Sequence, residues 1–341
     1  MRLHIVTRTD DWAPWAAAWN RLLSRSATRV PFLRYEYLRL WWTQWARHEW
    51  GPDATLFVVL ALDQDGDLLA AAPWFRAPDP AGRRVLRFLG GDALTDYGDV
   101  LAPATLAPAF WRALAGQVLA ASAGDALDLT HIPQTSPTLS AAPPALTAVG
   151  WTAQHAVMET APRILLPASW EAYLQALPRK QRHELRRKMR RAAAHRPPVR
   201  MRTVHATAGL DAPAEVFLRL MAHNPRKAAF LTPPVRAFFR ALMHTAAQHG
   251  WLHLAFLDVG DRPAAAYLAF DFGQRLWIYN SGLDPAFAHL SPGWVLAGHL
   301  IQRAIAHGYR VLDWLRGDED YKYRLGGRDF YLHRLTARPA A

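Results

Sequence analysis

The sequence predicts an α/β (α+β) chain made of two halves that repeat one succession of strands and helices. Three observations carry that expectation. Apolar runs and turn signals recur in the same order in both halves. The 341 residues, 51% of them hydrophobic, suffice for two full cores. The basic residues are concentrated at the junction between the halves, so charge marks a boundary.

The first half opens with helical patterns at Trp12–Leu23 and Tyr35–Trp45. Strand candidates follow at Thr55–Leu62 and Leu68–Arg76, joined by the turn Asp63-Gln64-Asp65-Gly66-Asp67. Then come a strand at Arg84–Leu89, a polar loop at Gly90–Asp99 and a helix at Leu106–Ala121. A strand at Ala126–Thr130, a short helix near Thr138–Ala148 and a strand at Trp151–Met158 close the half.

The second half repeats the scheme. Helices are expected at Pro213–Met221 and Pro234–His249, and strands at Trp251–Val259, Pro263–Phe272 and Arg275–Ser281. A polar loop at Gly282–Pro292 leads into a helix at Gly293–His307 and a strand at Arg310–Leu315. A short helix near Glu319–Leu325 and a strand at Asp329–Leu335 complete it. The two halves do not align at one fixed offset, as expected of an old duplication with edited loops. The expected division is therefore residues 1–160, a connecting segment 161–198, and residues 199–341.

The connecting segment holds a short amphipathic helix, Trp170–Leu177, and a run of strong helix formers from Arg179 to Ala194, stopped by Pro197-Pro198. From Arg179 to Arg202 eleven Lys or Arg stand against the single acid Glu184, which is +10 of the formal +12. The rest of the chain is close to neutral. Leu185 and Met189 are the only evident core contacts, so this helix is expected on a surface or beside an anion.

Several classes are set aside by what the sequence lacks. It has no cysteine, hence no disulfide, thiolate nucleophile or cysteine zinc site. There is no His-Glu-x-x-His, no Gly-x-Ser-x-Gly and no phosphate-loop or dinucleotide fingerprint, and no metal is expected. The first residues lack the apolar core of a signal peptide, and no stretch is long and apolar enough to span a bilayer. A soluble cytoplasmic protein is expected.

Chemistry concentrates late in the chain. Tyr279, Gly282, Asp284 and Pro285 are followed by Ser291-Pro292-Gly293, then by Asp313, Gly317 and Tyr321-Lys322. A strand feeding a helix N-terminus presents backbone N–H groups to an anion, although Pro292 supplies none. Ser before Pro is equally an ordinary helix start. Asp313 lies within the apolar run Val311–Leu315, where a carboxylate is costly unless paired or functional. Its alternatives are a general base and a structural ion pair with Arg316 or Arg324. Asp96, Tyr97 and Asp99 form the other polar cluster, read either as turn chemistry or as part of an acceptor site. Trp41, Trp42 and Trp45 read first as helix core.

These motifs, with Phe88-Leu89-Gly90 and Asp96-Tyr97-Gly98-Asp99 of the first half, resemble the GNAT-type family named after the cellulose-biosynthesis protein CelD, a relative of the FemAB aminoacyltransferases. The resemblance implies tandem GNAT-like domains, each a mixed, mostly antiparallel sheet flanked by helices. It implies an N-acyltransferase moving an acyl group from acetyl-CoA or another acyl-CoA to an amine, such as an amino sugar or an envelope or exopolysaccharide intermediate. Donor-binding residues would be Tyr279, Asn280, Ser281, Ser291, Gly293, Trp294 and Lys322. Asp313 would be the base and Tyr321 the proton donor to the leaving thiolate, with Asp96, Tyr97, Asp99 and Arg316 on the acceptor. Two other readings stand beside it. One is a FemAB-like transferase taking its aminoacyl group from tRNA gripped by Arg179–Arg191. The other is a non-catalytic module binding nucleic acid or an anionic membrane through that helix.

Overall fold

The computed structural model describes residues 1–121 and 125–340. In chain order its elements are β1 (Arg2–Val6), α1 (Thr9–Trp12), α2 (Ala16–Arg25), α3 (Tyr35–Gln44), α4 (Ala46–Trp50), β2 (Thr55–Leu62), β3 (Leu68–Pro78), β4 (Arg84–Phe88), α5 (Ala107–Ala113), β5 (Ala126–Pro133), α6 (Thr138–Thr147) and β6 (Trp151–Thr160). There follow β7 (Arg163–Leu165), α7 (Trp170–Ala176), α8 (Arg179–Ala193), β8 (Val199–Val204), α9 (Asp211–Met221), α10 (Pro225–Phe230) and α11 (Pro233–Gln248). The chain closes with β9 (Leu252–Val259), β10 (Arg262–Asp271), β11 (Arg275–Leu283), α12 (Pro292–Ala306), β12 (Val311–Asp313), α13 (Asp320–Arg324) and β13 (Tyr331–Pro339).

These elements form two compact units, Met1–Thr160 with Phe330–Ala341, and Ala161–Asp329. The sheet of the first unit runs β1-β2-β3-β4-β5-β13-β6, and that of the second β7-β12-β11-β10-β9-β8. Each is mixed and mostly antiparallel, with parallel neighbours at β4–β5 in one and β11–β12 in the other. The expected fold class is borne out.

Local chemistry explains the central strands. β2 reads Leu56-Phe57-Val58-Val59-Leu60-Ala61-Leu62 without a polar break, because both of its faces are buried. Its hairpin to β3 is made by Asp63, whose Oδ1 accepts the N–H groups of Asp65 and Asp67, each at 2.9 Å. Trp74, Phe110, Trp111, Leu114 and Leu129 fill the core of this unit. In the second unit Leu185, Tyr267, Leu296, Leu300 and Trp314 belong to the core.

Two expectations are corrected. The strand expected at Asp329–Leu335 as the end of the second half is β13, and it lies between β5 and β6 in the first sheet. Its Leu335 and Ala337 join the first unit's core, which holds it there. The place beside β12 in the second sheet is taken by β7, through Val311↔Leu165, Leu312↔Ile164 and Asp313↔Arg163. The segment 161–198 is not a connector either. Ile164, Tyr173, Leu174, Leu177, Leu185 and Ala192 are buried in the second core, so β7, α7 and α8 belong to that unit.

β8 was not anticipated as a strand. Val199, Met201 and Thr203 alternate with Arg200 and Arg202, a period-two pattern submerged in the count of basic residues.

Candidate functional site

In the second unit β11 and β12 pair at three positions, Arg275↔Val311, Leu276↔Leu312 and Trp277↔Asp313, and then part. Two local features separate them. β11 carries a bulge at Tyr279, since Leu268 of β10 faces Asn280 while Ala269 faces Ile278. β12 stops at Asp313, whose Oδ1 accepts the Leu315 N–H at 2.9 Å. Leu315 takes a left-handed φ of 58°, and the chain leaves the sheet.

Beyond the parting, the Ser281 main chain faces away from β10. Its N–H donates to Asn280 Oδ1 at 2.9 Å, and its carbonyl accepts from Lys227 Nζ at 2.6 Å. Lys227 Nζ also donates to Asn280 Oδ1 at 2.8 Å and to Ser281 Oγ at 3.2 Å. The lysine is delivered by α10, whose start is fixed by Asn224 Oδ1 accepting the N–H groups of Arg226 and Lys227. Among the described residues no carboxylate pairs with this ammonium. Burial pushes its pKa down to about 8; the charge of Glu319 raises it in part and that of Lys322 lowers it further. Beside it opens a cavity of about 350 Å³.

No motif in the sequence marks Lys227. The one signal for it was compositional: Lys occurs at positions 180, 188, 227 and 322 only, among 40 Lys and Arg. A lysine in place of arginine supplies a compact point charge whose pKa shifts readily when buried.

Past β12 the segment 315–322 wraps around Lys322. Its ammonium donates to the carbonyls of Leu315 (3.2 Å), Arg316 (2.6 Å) and Gly317 (3.0 Å), and pairs with Glu319 at 2.8 Å. Only 3% of its side chain is exposed. Lys322, expected on a donor phosphate, instead ties this loop together. Arg316, expected on the acceptor, is half-buried.

Glu319 keeps 58% of its side chain exposed, yet its negative charge acts on Lys227, Tyr267 and Tyr321. Tyr321 stands edge-on to Trp314 at 5.7 Å, and Trp314 lies 6.3 Å from Tyr267. Burial first, then neighbouring negative charge, raises the pKa of both phenols. They stay protonated and remain hydrogen-bond donors. Asp313 is 1% exposed, with Oδ1 committed to the turn.

At the start of α12, Ser291 is left-handed with φ 53° and makes no side-chain cap. Pro292 has no N–H, and Trp294 and Val295 give theirs to the Ser291 carbonyl, leaving Gly293 as the donor of the first turn. Tyr279 packs between Phe239 and Phe270, with ring centroids at 5.7 and 5.1 Å. Trp294 lies under the Lys188 ammonium at 3.9 Å.

α8 crosses α12 where Gly298 leaves room. A Cβ there would come within 3.0 Å of Met189 Sδ and 3.1 Å of Leu185 Cδ1. Lys188 is paired with Glu184 at 2.9 Å, and Arg191 donates to Ser291 Oγ at 3.3 Å. Arg179, Lys180, Arg186, Arg187 and Arg190 face solvent.

In the first unit the expected acceptor residues have other employment. Tyr97 is 2% exposed and stacks on Phe32. Asp99 is 1% exposed and accepts from Thr28 Oγ1 (2.5 Å), Thr138 Oγ1 (2.6 Å) and the Val100 N–H (2.8 Å). Burial raises its pKa against these hydrogen bonds. Asp96 is also buried. Trp41 packs on Phe75 at 5.3 Å, as helix core. Among the described residues no group of three or more His, Asp or Glu could hold a metal, and no helix is long and apolar enough to cross a membrane.

Residues 179–323 match the family model of an acetyltransferase (GNAT) domain. No curated protein matches the chain. Among solved structures the chain is similar to FemX, at 11% identity and a TM-score of 0.65 over 98% of this chain and 97% of that one. It is similar to a conserved protein of unknown function from Bacteroides thetaiotaomicron, at 13% identity and TM-score 0.61 over 98% and 99%. The C-terminal domain of a putative lysylphosphatidylglycerol synthetase from Agrobacterium fabrum follows at 12% identity and TM-score 0.54 over 94% and 91%. At these identities the likeness is one of fold, and it spans both units.

Proposed function

From a second unit that carries a GNAT acetyltransferase domain over residues 179–323, we propose that the protein transfers an acyl group from an activated donor to an amine. The observation that supports this best is the parting of β11 and β12 beyond Trp277 and Asp313, next to the protonated Tyr321 phenol and the accessible Glu319 carboxylate. The amine nitrogen attacks the donor carbonyl, a C–N bond forms, and the C–S bond of a thioester breaks. Glu319 takes the proton from the attacking amine. Tyr321 donates a hydrogen bond to the departing thiolate, and the proton that neutralises the thiolate comes through the phenol, which recovers it from solvent. In this reading Asp313 anchors the turn that ends β12 rather than serving as the base.

The donor in this reading is acyl-CoA, with its phosphates near the Gly293 amide and the outward arginines of α8. The acceptor, following the CelD-type resemblance, is an amino sugar or another precursor of envelope or exopolysaccharide synthesis, met in the cytoplasm.

A second reading is an aminoacyl-tRNA donor. It is favoured by the arginine face of α8 beside Ser291. It is also favoured by the fold shared with a putative lysylphosphatidylglycerol synthetase, whose name describes attachment of lysine to a lipid.

Thermal shifts with acetyl-CoA, longer acyl-CoAs and charged tRNA separate the two. Stabilisation by a CoA ester supports the first. Salt-sensitive stabilisation by charged tRNA, with none from any CoA ester, replaces it with the second.

A further inference from the structure

The cavity at the end of β11 is walled by Leu220, Met221, Pro225 and Leu283; its ammonium is that of Lys227, and the Asp284 carboxylate that also lines it accepts the Ala286 N–H at 2.9 Å and a bond from Arg262 at 3.5 Å. Its volume of about 350 Å³ is in the range of small-molecule sites, which combine apolar walls with a few placed polar groups. The ammonium is met by three neutral oxygens, those of Asn280 Oδ1, Ser281 O and Ser281 Oγ. A shielded charge ordinarily has a partner of opposite sign, because desolvation otherwise disfavours it. Lys322, the other well-buried lysine near the site, has Glu319 in contact at 2.8 Å. Lys227 has no such partner among the described residues, and Glu319 acts on it only from beyond contact distance.

We infer that this cavity receives the anionic group of the substrate, with Lys227 as its counter-ion. Resting on the acyl-transfer reading, this makes the acceptor an amine that also bears a carboxylate or a phosphate next to an apolar body. The weakest of the three ammonium contacts, 3.2 Å to Ser281 Oγ, is the one an incoming oxyanion replaces. The other two keep the lysine aimed along the β11 edge. An arriving anion would also relieve the depressed basicity that burial imposes on Lys227.

Lysine-selective ¹⁵N NMR of the whole chain tests this directly, since there are lysines at only four positions to resolve. The probes are hexanoate, hexyl phosphate and hexylamine, with Lys227→Gln assigning the signal. Hexanoate or hexyl phosphate should move the Lys227 ¹⁵Nζ resonance and raise its titration midpoint by at least one pH unit. Hexylamine should not. The more effective acid identifies carboxylate or phosphate as the cognate group.

No response to either acid, or an equal response to hexylamine, overturns the inference. Displacement of the bound acid by CoA overturns it as well, by giving the anion to the donor. If Lys227→Gln does not fold, Lys227→Arg takes its place. It should keep stabilisation by the acid in thermal shift, and loss of that stabilisation in a folded Arg variant counts against a counter-ion role. The experiment needs no turnover, so its failure is distinct from failure of the acyl-transfer reading.

Discussion

The two units place a parting pair of parallel strands at the same point in the succession of elements, and treat it in opposite ways. In the first, β4 and β5 pair at Val85↔Ala126 and Leu86↔Leu127 and then separate. Gly98 lies in the gap, its N–H bonded to the His131 carbonyl of β5. A Cβ on Gly98 would stand 2.8 Å from the Phe88 ring of β4 and 2.9 Å from the Thr130 carbonyl. Tyr97 and Asp99, on either side of it, are buried and bonded. That gap is filled by the chain itself. In the second unit the segment between the strand and the following helix, 284–291, is much shorter than its counterpart 89–106. It does not reach back between the strands, and the edge of β11 carries a lysine in place of a plug. Of two like-placed partings, the one with the longer following loop is core.

The largest effect is expected of Glu319→Gln. If chemistry belongs to the second unit, turnover of the folded variant should fall about a hundred- to ten-thousand-fold, with a lower melting temperature as well, because Lys322 loses its ion-pair partner. Unchanged turnover would remove the carboxylate from the reaction.

Glycine replacements come next, read as unfolding free energy. At Gly282 a Cβ would meet the Met221 nitrogen at 2.4 Å and the Leu220 carbonyl carbon at 2.5 Å, neither of which can yield without moving α9. Gly282→Ala should cost about 3 kcal/mol. Gly98→Ala presses on the Phe88 ring, which can turn, and on the Thr130 carbonyl, which cannot, and should cost about 2 kcal/mol. Equal tolerance at both positions would mean that neither gap is tightly built.

Acid should separate the units further. Burial, then the positive charge of His205, Arg303 and His307, depresses the His253 pKa from 6.5 to about 3. The unfolded chain therefore binds a proton that the folded unit refuses. Stability of the second unit should drop as pH falls from 6.5 towards 3, by a few kcal/mol at most. Asp99 has the opposite sign. Its raised pKa lets the folded first unit take up a proton before the unfolded chain does, which favours that unit as pH falls. Hydrogen exchange at pH 4 to 5 should accelerate in β9–β11 before it does in β2–β5, and His253→Leu should reduce the difference.

The smallest effect is expected on α8. Because Leu185, Met189 and Ala192 hold it in place, replacing Arg179, Arg186, Arg187 and Arg190 by Gln should change stability by only about 0.5 kcal/mol. KM for acyl-CoA should rise if these arginines hold the donor phosphates, and unimpaired turnover with acyl-CoA would remove them from that site.

What could be read from the sequence was whatever local periodicity or punctuation controls. The turn at Asp63, the strands flanking it, the α12 start at Ser291-Pro292 and the repeated order of elements follow from patterning over a few residues. What could not be read depends on partners distant along the chain. Asp313 stood out as a carboxylate in an apolar run, but its bond to the Leu315 N–H depends on a left-handed residue that sequence does not announce. Lys322 and Glu319 were visible as charges. That one ties a loop while the other stays accessible is settled by three carbonyl directions. Lys227 sits in an unremarkable stretch, and it gains meaning only because the bulge at Tyr279 turns the Ser281 main chain towards it. β13 has an ordinary strand pattern that fits either sheet, and the presence of β7 beside β12 decides between them.

Everything from residue 161 to 329 leaves the ribosome before the strand that belongs between β5 and β6 exists. Through that interval the first unit, although translated first, has two unpaired strand edges where β13 will lie. The second unit already holds all of its own strands. The chain is thus expected to finish its later unit first and its earlier unit last, reversing the usual vectorial order.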